Sequence, residues 1–521
     1  MSLIKFCKQH CTHLLLGLIV LFYVFNGICY LRQQSLTSDE GSFMSYAIRY
    51  VKGDPSRIYP RTDNSKMPIS AVNLVPRMVE SALGKVEEKH DGGLSDTMNG
   101  RYITLLISIF TILLSFQWAK ELYGEKAGLF AAFLMSFCPN NLANAALVTT
   151  DSYSTLFLLL SMYTLWRFCK SPSTRSFMLF SIVVALSQLV KQSLFHLYIL
   201  APLCILVYFS VSRTPFKWSM FLKRSLLFIF INLVIINAGF LFSQSFMPLG
   251  EYRFMSELFS GLQNVLPAWL PLPFPRPFVE GLDMAKYYDQ VGGGIDHVSS
   301  FGKPTILGEA RTGGSFWYYY LVSIFYKTPI AYFIFFTWSF ILLIRTSKRL
   351  NEFFLLAPVI YFLVVMSFFY KTQCGIRHII FIYPFLFIYA ARLVQHLKSL
   401  PWRIVFVALC LFLTSSVLRY WKNYYPYTNE FILDKKFAYL KVGASNLEFR
   451  QGGWFARKYL DTHPDVAYAP LVPQAGRFLI RTDDYLDLWN TKEYEWISSI
   501  KPAGHVAYSY LLINVDSADI K

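Results

Sequence analysis

Apolar runs long enough to cross a hydrocarbon core of roughly 30 Å recur along this chain from residue 13 to residue 420. Lipid offers no partner to a backbone N–H or C=O, so such runs are expected as helices that satisfy their own backbone. The composition agrees. Of 521 residues, 54% are hydrophobic and 18% aromatic, and only 16% are charged; a soluble domain of this length carries more charge. The expected fold is a polytopic α-helical membrane protein of roughly eleven spans, followed by a C-terminal α+β domain. Two helix pairs are read around residues 101–145 and 152–190, with further spans near 194–211, 225–243, 317–344, 353–370, 379–395 and 404–420. The first run, HLLLGLIVLFYVFNGICY, is longer than a signal-peptide core and lacks an A-x-A-like cleavage site, so an uncleaved anchor is expected.

A formal charge of +17 points to nucleic acid in a soluble protein, but here topology explains it. With a cytoplasmic N-terminus, the short inner loops carry Lys5 and Lys8, then Lys120 and Lys126, then Arg167, Lys170 and Arg175. Later ones carry Arg213, Lys217, Lys223 and Arg224, then Arg345, Lys348 and Arg349, then Arg392, Lys398 and Arg403. Every inner loop is then basic, as the positive-inside rule requires. The eight cysteines are scattered, mostly within apolar runs, so no disulfide framework is read.

The polar remainder falls into three segments on the other face. Residues 31–100 are long enough for amphipathic helices lying on the membrane, and 244–315 includes the proline-rich LPAWLPLPFPRPFVEGLD, expected as an extended strap. From about Trp421 to residue 521 the composition is that of a soluble domain. There RFLIRTDDYLDLW and HVAYSYLLINV read as strand-containing segments, and QGGWFARKYLDTHP as a helix. The transmembrane domain is accordingly drawn as 1–420 and the outer domain as 421–521.

Charges collect on that outer face. Asp39 and Glu40 follow the first span in TSDEGSF, Arg101 opens the second, Asp151 ends a short helix pair in VTTDSYS, and Lys191 tips the next. GEARTGGSFWYYY brings Glu309, Arg311 and Tyr318, with Lys327 deeper, and KTQCGIRHIIF brings Lys371, Arg377 and His378. Charges at membrane depth are costly and usually line a cavity or pair with one another. Carboxylates for proton transfer beside Arg and Lys for phosphate oxygens would suit a lipid-attached phosphate. Each residue also has a plainer reading. TSDE resembles a helix start, Asp151 after two threonines an N-cap, Lys191 and Arg101 interfacial snorkels, and the aromatic run an interface belt.

Taken in order, the acidic pair, the GR opening, TTD, KQ, the PLPFPRPFVEGLD strap, GE…FWYYYLVSIFYKTP and GIRHIIFIYPFLFIYA resemble the GT-C superfamily of membrane glycosyltransferases. The likeness is to bacterial enzymes related to protein O-mannosyltransferases and lipid A aminoarabinose transferases, and it runs over most of the chain. It implies a polyprenyl-phosphate sugar as donor and inverting transfer to a hydroxyl on the extracytoplasmic face of a bacterial inner membrane, with a protein or envelope glycan as acceptor. It implies no nucleic acid partner. It makes Asp39 the catalytic base, with Glu40 and Asp151 beside it, and offers Arg101, Lys191, Arg311, Lys327, Arg377 and His378 for the donor phosphate. Lys66, Glu280, Asp283, Glu309 and Tyr318 are the expected substrate contacts. No metal ligand set is read, although a divalent cation is possible for the class. Two departures stand out. SKMPISAVN, with Lys66, Met67 and Pro68, replaces a His-Pro-Pro element, and NLEFRQ (446–451) replaces Asn-Leu-Asp-Trp-Gly-Gln. A flippase for lipid-linked sugars needs polar residues through the inner halves of the spans, which read as apolar. A non-catalytic scaffold needs no acidic pair.

Overall fold

The computed structural model describes residues 3–84, 94–212, 218–344 and 350–520. Arg213, Lys217, Arg345, Lys348 and Arg349, counted above among the inner-loop cations, lie outside the described residues. Six helices among the described residues are long and apolar enough to cross a membrane: Cys11–Leu31, Ser95–Tyr123, Gln192–Ser212, Leu222–Gly239, Leu350–Phe368 and Leu400–Leu418. Other apolar helices, Thr174–Ser187 and Ile380–His396 among them, are shorter. Glu125–Ser136 has 12 residues, about 18 Å at the helical rise, well short of a hydrocarbon core.

The run read as one span over 317–344 is broken. Tyr319–Lys327 and Ile330–Ile344 meet at 110°. Pro329 lacks an N–H and disfavours helical backbone at the residue before it, and Thr328 is accordingly extended. A break at this depth frees carbonyls, and distant side chains take them up. The Asn429 backbone N–H donates to the Tyr326 carbonyl at 2.8 Å. Its side-chain amide donates to the carbonyls of Phe325 and, at 2.9 Å, Thr328. Asn140 donates to the Lys327 carbonyl at 2.8 Å.

Helix Leu94–Tyr123 packs against Leu3–Leu31, Glu125–Ser136, Asp151–Lys170 and Tyr383–Ala391. Trp118 on it is fully buried among Tyr163, Trp166 and Phe385, whose rings meet it edge-on or tilted. The first polar segment forms helix Glu40–Val51, a 3-10 stretch Pro68–Leu74 and helix Val75–Ala82, which leaves Val75, Met78 and Val79 exposed.

The proline-rich strap is shorter than expected. Extended backbone ends at Pro275, and RPFVEGLD belongs to helix Arg276–Val291. Proline is tolerated in a first helical turn, where its missing N–H has no intrahelical partner to lose, so Pro277 starts the helix instead of preventing it.

Beyond residue 420 lies a four-stranded sheet. Gly476–Arg481 pairs in parallel with Val466–Tyr468 and antiparallel with Tyr510–Val515, which pairs in turn with Gly504–Val506. Helix Gly453–Thr462 contributes Ala456 to a small core with Val466, Leu479 and Tyr510. The main core runs on across residue 420: Tyr424, Tyr427, Phe478 and Ile513 share one buried cluster with Tyr23, Trp118 and Phe381.

Candidate active site

Four of the outer-face charges converge, although they come from four separate parts of the chain. Asp39 sits at the start of helix Glu40–Val51 but makes no side-chain cap there. Its carboxylate instead receives a hydrogen bond from Arg377 at 2.8 Å. The same Arg377 nitrogen lies 3.9 Å from Asp151. Asp151, the first residue of helix Asp151–Lys170, also makes an ion pair with Lys191 at 2.6 Å and accepts from the Thr149 hydroxyl at 3.2 Å. The guanidinium carbon of Arg377 sits over the ring of Phe449, 4.1 Å from its centroid, a cation–π contact that helps hold the group in place.

Exposure separates the acids. The side chain of Asp39 is 33% exposed, that of Asp151 4% and that of Glu40 none. Asp39 is therefore the acid that a molecule arriving from outside can touch. Burial raises the Asp39 pKa, but the charges of Arg377 and Lys66 outweigh it and hold the group below its ordinary range. Lys66 is itself buried, its ammonium 3.7 Å from the centroid of Phe43. Burial, together with the charges of Lys191 and Arg377, pushes His378 down to about 3, so it stands neutral beside them. The cluster thus holds three cations, Arg377, Lys191 and Lys66, against two carboxylates, Asp39 and Asp151. One positive charge remains for an incoming anion.

Glu40 and Arg101 are placed elsewhere than read from the sequence. Both are completely buried and joined by two hydrogen bonds, at 2.8 and 2.6 Å. Glu40 also accepts from the Thr37 backbone and hydroxyl, at 2.9 and 3.0 Å, and from the Val148 backbone at 2.9 Å. Arg101 spends its other N–H groups on the carbonyls of Leu31, Gln34 and Ser35 and on the Met98 sulfur. Arg101 has no donor left for a phosphate, and Glu40 has no surface from which to take a proton. Together they fasten the loop carrying Asp39 to the loop carrying Asp151.

The remaining expected residues are engaged away from this cluster. Lys327 is buried and donates to the carbonyls of Tyr425 and Asn446 at 2.6 and 2.5 Å, so it locks the broken span to the C-terminal segment. Arg311 and Glu309 lie on an exposed two-stranded turn, with Arg311 over the Phe316 ring. Glu280 pairs with Arg276 one helical turn away. Asp283 accepts from the backbone of Met255 and Ser256, tying down the start of helix Glu257–Val265. The Tyr318 ring packs against Phe316 and Trp317. Among the described residues no group of three or more His, Cys, Asp or Glu could hold a metal ion.

The sequence reading missed Phe449 and Asn446. Asn446 accepts from the Ile376 backbone at 2.9 Å and donates to the Tyr319 hydroxyl at 3.2 Å, so NLEFRQ clips the GIRH loop in place. The signal was present, because the motif was singled out for departing from the expected pattern. Phe449 keeps an aromatic ring where that pattern has Trp, and this ring is what Arg377 rests on.

Comparison with known proteins bears on the same picture. A family model described as dolichyl-phosphate-mannose-protein mannosyltransferase matches residues 95–237. The crystal structure of ArnT from Cupriavidus metallidurans bound to undecaprenyl phosphate superposes with a TM-score of 0.51, covering 97% of this chain and 99% of that one at 13% identity. The fold is a GT-C fold. The apo structure of the same ArnT, also 13% identical over 97% and 99%, has a TM-score of 0.48. No curated protein matches this chain. The GT-C resemblance read from the motif order is therefore borne out, with a bundle of apolar helices and some sheet.

Proposed function

We propose that this chain is a membrane glycosyltransferase that draws its sugar from a polyprenyl-phosphate donor and passes it to a hydroxyl on the extracytoplasmic face. The observation that carries the reading is the shared guanidinium. Arg377 holds the half-buried Asp39 and faces the buried Asp151–Lys191 pair, so a base and a phosphate-binding charge lie side by side. The family match and the solved structure with undecaprenyl phosphate support a donor of this class.

In the proposed step, Asp39 takes the proton of the acceptor hydroxyl as its oxygen attacks the anomeric carbon. The bond from that carbon to the donor phosphate oxygen breaks on the opposite side, and the configuration inverts. The lipid phosphate leaves as an anion, so no strong general acid is required. Arg377, Lys191 and Lys66 stabilise the charge gathering on it. One consequence follows from the ion pair. When the phosphate takes over the Arg377 guanidinium, Asp39 loses the charge that depresses its pKa and becomes a better base as the donor arrives.

The test is Asp39→Asn in purified full-length protein in nanodiscs, supplied with a radiolabelled undecaprenyl-phosphate sugar. Loss of a positioned base lowers the rate by a factor of roughly 10² to 10⁴ while the fold is kept. Turnover at the wild-type rate sinks the assignment. Movement of the lipid between leaflets without discharge of the sugar indicates a flippase instead.

A further inference from the structure

The motif PRPFVEGLD takes no part in the charge cluster, and a buried arginine gives it a role. Arg57, in the first polar segment, is 6% exposed, yet among the described residues its guanidinium bonds to no carboxylate. Its Nε donates to the Pro277 carbonyl at 2.7 Å. Nη1 donates to the carbonyls of Asp63 and, at 3.4 Å, Asn64, and Nη2 to the Met67 sulfur at 3.5 Å. Four of the five N–H groups are thus spent, three of them on the turn 63–67.

That turn carries Lys66. Asp63 and Asn64 precede Lys66 and Met67 follows it, so the guanidinium grips both sides. The Lys66 backbone N–H donates to the Asp63 carbonyl at 3.1 Å. The side chain of Gln192, next to Lys191, donates to the Asn64 carbonyl. The Lys66 ammonium is buried, and among the described residues its one hydrogen bond goes to the adjacent Ser65 hydroxyl at 3.3 Å. An ammonium has three donors, so two are kept for an anion.

Gly281 marks the same contact independently. It lies inside helix Arg276–Val291, where glycine is a poor helix former. A methyl group there would overlap the Arg57 guanidinium, and the three atoms it would meet first all belong to Arg57. Pro277, about one turn earlier, offers the carbonyl that Arg57 takes. The two residues form a seat for one side chain.

We infer that Arg57, seated on Pro277 and Gly281, is a positioning residue that sets the Lys66 ammonium for the donor phosphate, an inference that rests on the glycosyltransferase reading above. Arginine suits the task because its planar fork holds several acceptors at fixed angles, which a single ammonium cannot copy. The two cations divide the work. Arg57 spends its donors on the chain, and Lys66 keeps its donors for the anion.

The test uses full-length protein in nanodiscs and two readouts that need no turnover. One is affinity for undecaprenyl phosphate by calorimetry, and the other is the rate at which acetic anhydride acylates Lys66, read by mass spectrometry. Lys66→Met weakens lipid-phosphate binding about tenfold, and Arg57→Met does the same. Lys66 is acylated severalfold faster in Arg57→Met than in the wild type. Combining Arg57→Met with Lys66→Met weakens binding no further than Lys66→Met alone. Gly281→Ala keeps the arginine and favours the helix, but displaces the guanidinium; it reproduces both effects and decides the matter if Arg57→Met fails to fold. Losses that multiply in the double variant overturn the assignment, as do wild-type affinity and wild-type acylation in Gly281→Ala. Absent glycosyl transfer with the expected binding pattern strikes the catalytic reading and leaves the positioning role standing.

Discussion

Two adjacent acids of the same chemistry receive opposite tasks from their surroundings. Asp39 is open and holds one shared guanidinium, whereas Glu40 is sealed and accepts five hydrogen bonds. Their substitutions therefore separate. Asp39→Asn removes transfer while the protein still folds and inserts, at a smaller cost in stability than a change at the sealed pair. Arg101→Met strands a buried carboxylate and costs about 3–5 kcal/mol, visible as a large drop in melting temperature and rapid proteolysis. A variant Arg101→Met that melts like wild type contradicts the strut role. The sequence reading named both acids and made Asp39 the base by resemblance alone, and burial is the physical difference between them. Arg377 and Asp39 are 338 positions apart, a separation across which no local pattern pairs a cation with one acid rather than its neighbour.

At the level of elements, the NLEFRQ turn is the part whose behaviour changes with pH. Burial pushes Glu448 up to about 7, against the Ser509 hydroxyl and the charge of Arg481, which favour the ionised form. Asp483 beside it is raised by burial and by Glu448, with Arg481, Asp484 and Arg450 also facing the pair. A carboxyl whose folded pKa is raised binds more protons folded than unfolded, so it favours the fold at low pH and loses that contribution as pH rises. Thermal stability therefore falls between about pH 5 and about pH 7.5, and Glu448→Gln flattens the slope. A wild-type profile that rises across that window contradicts the assignment. Elements carried by local pattern were legible here: the helix at 453–462, the strands at 476–481 and 510–515 and the first long apolar helix all fall where periodicity and composition put them. The break at Pro329 was not, because apolarity alone continues straight through it. Nor was the helix start at Arg276, where proline supports a first turn that it would disrupt further along.

For the whole molecule, the buried cluster joining the spans to the C-terminal segment means the two are one mechanical unit. Asn429 shows it at a single point, since three bonds from this residue complete the broken helix pair. Asn429→Ala removes the side-chain partner of two buried carbonyls, a loss of about 1–3 kcal/mol for each group left unsatisfied, measured as a lower melting temperature with the helix content unchanged. The same feature sets an order of assembly. Residues 319–344 leave the ribosome about a hundred positions before the amide that completes them, so for that interval the bent pair sits in the bilayer with open carbonyls. In a nascent chain halted before residue 429, a cysteine placed at Thr328 stays open to a membrane-permeant thiol reagent, and it becomes protected once the asparagine has been synthesised and has reached the bend.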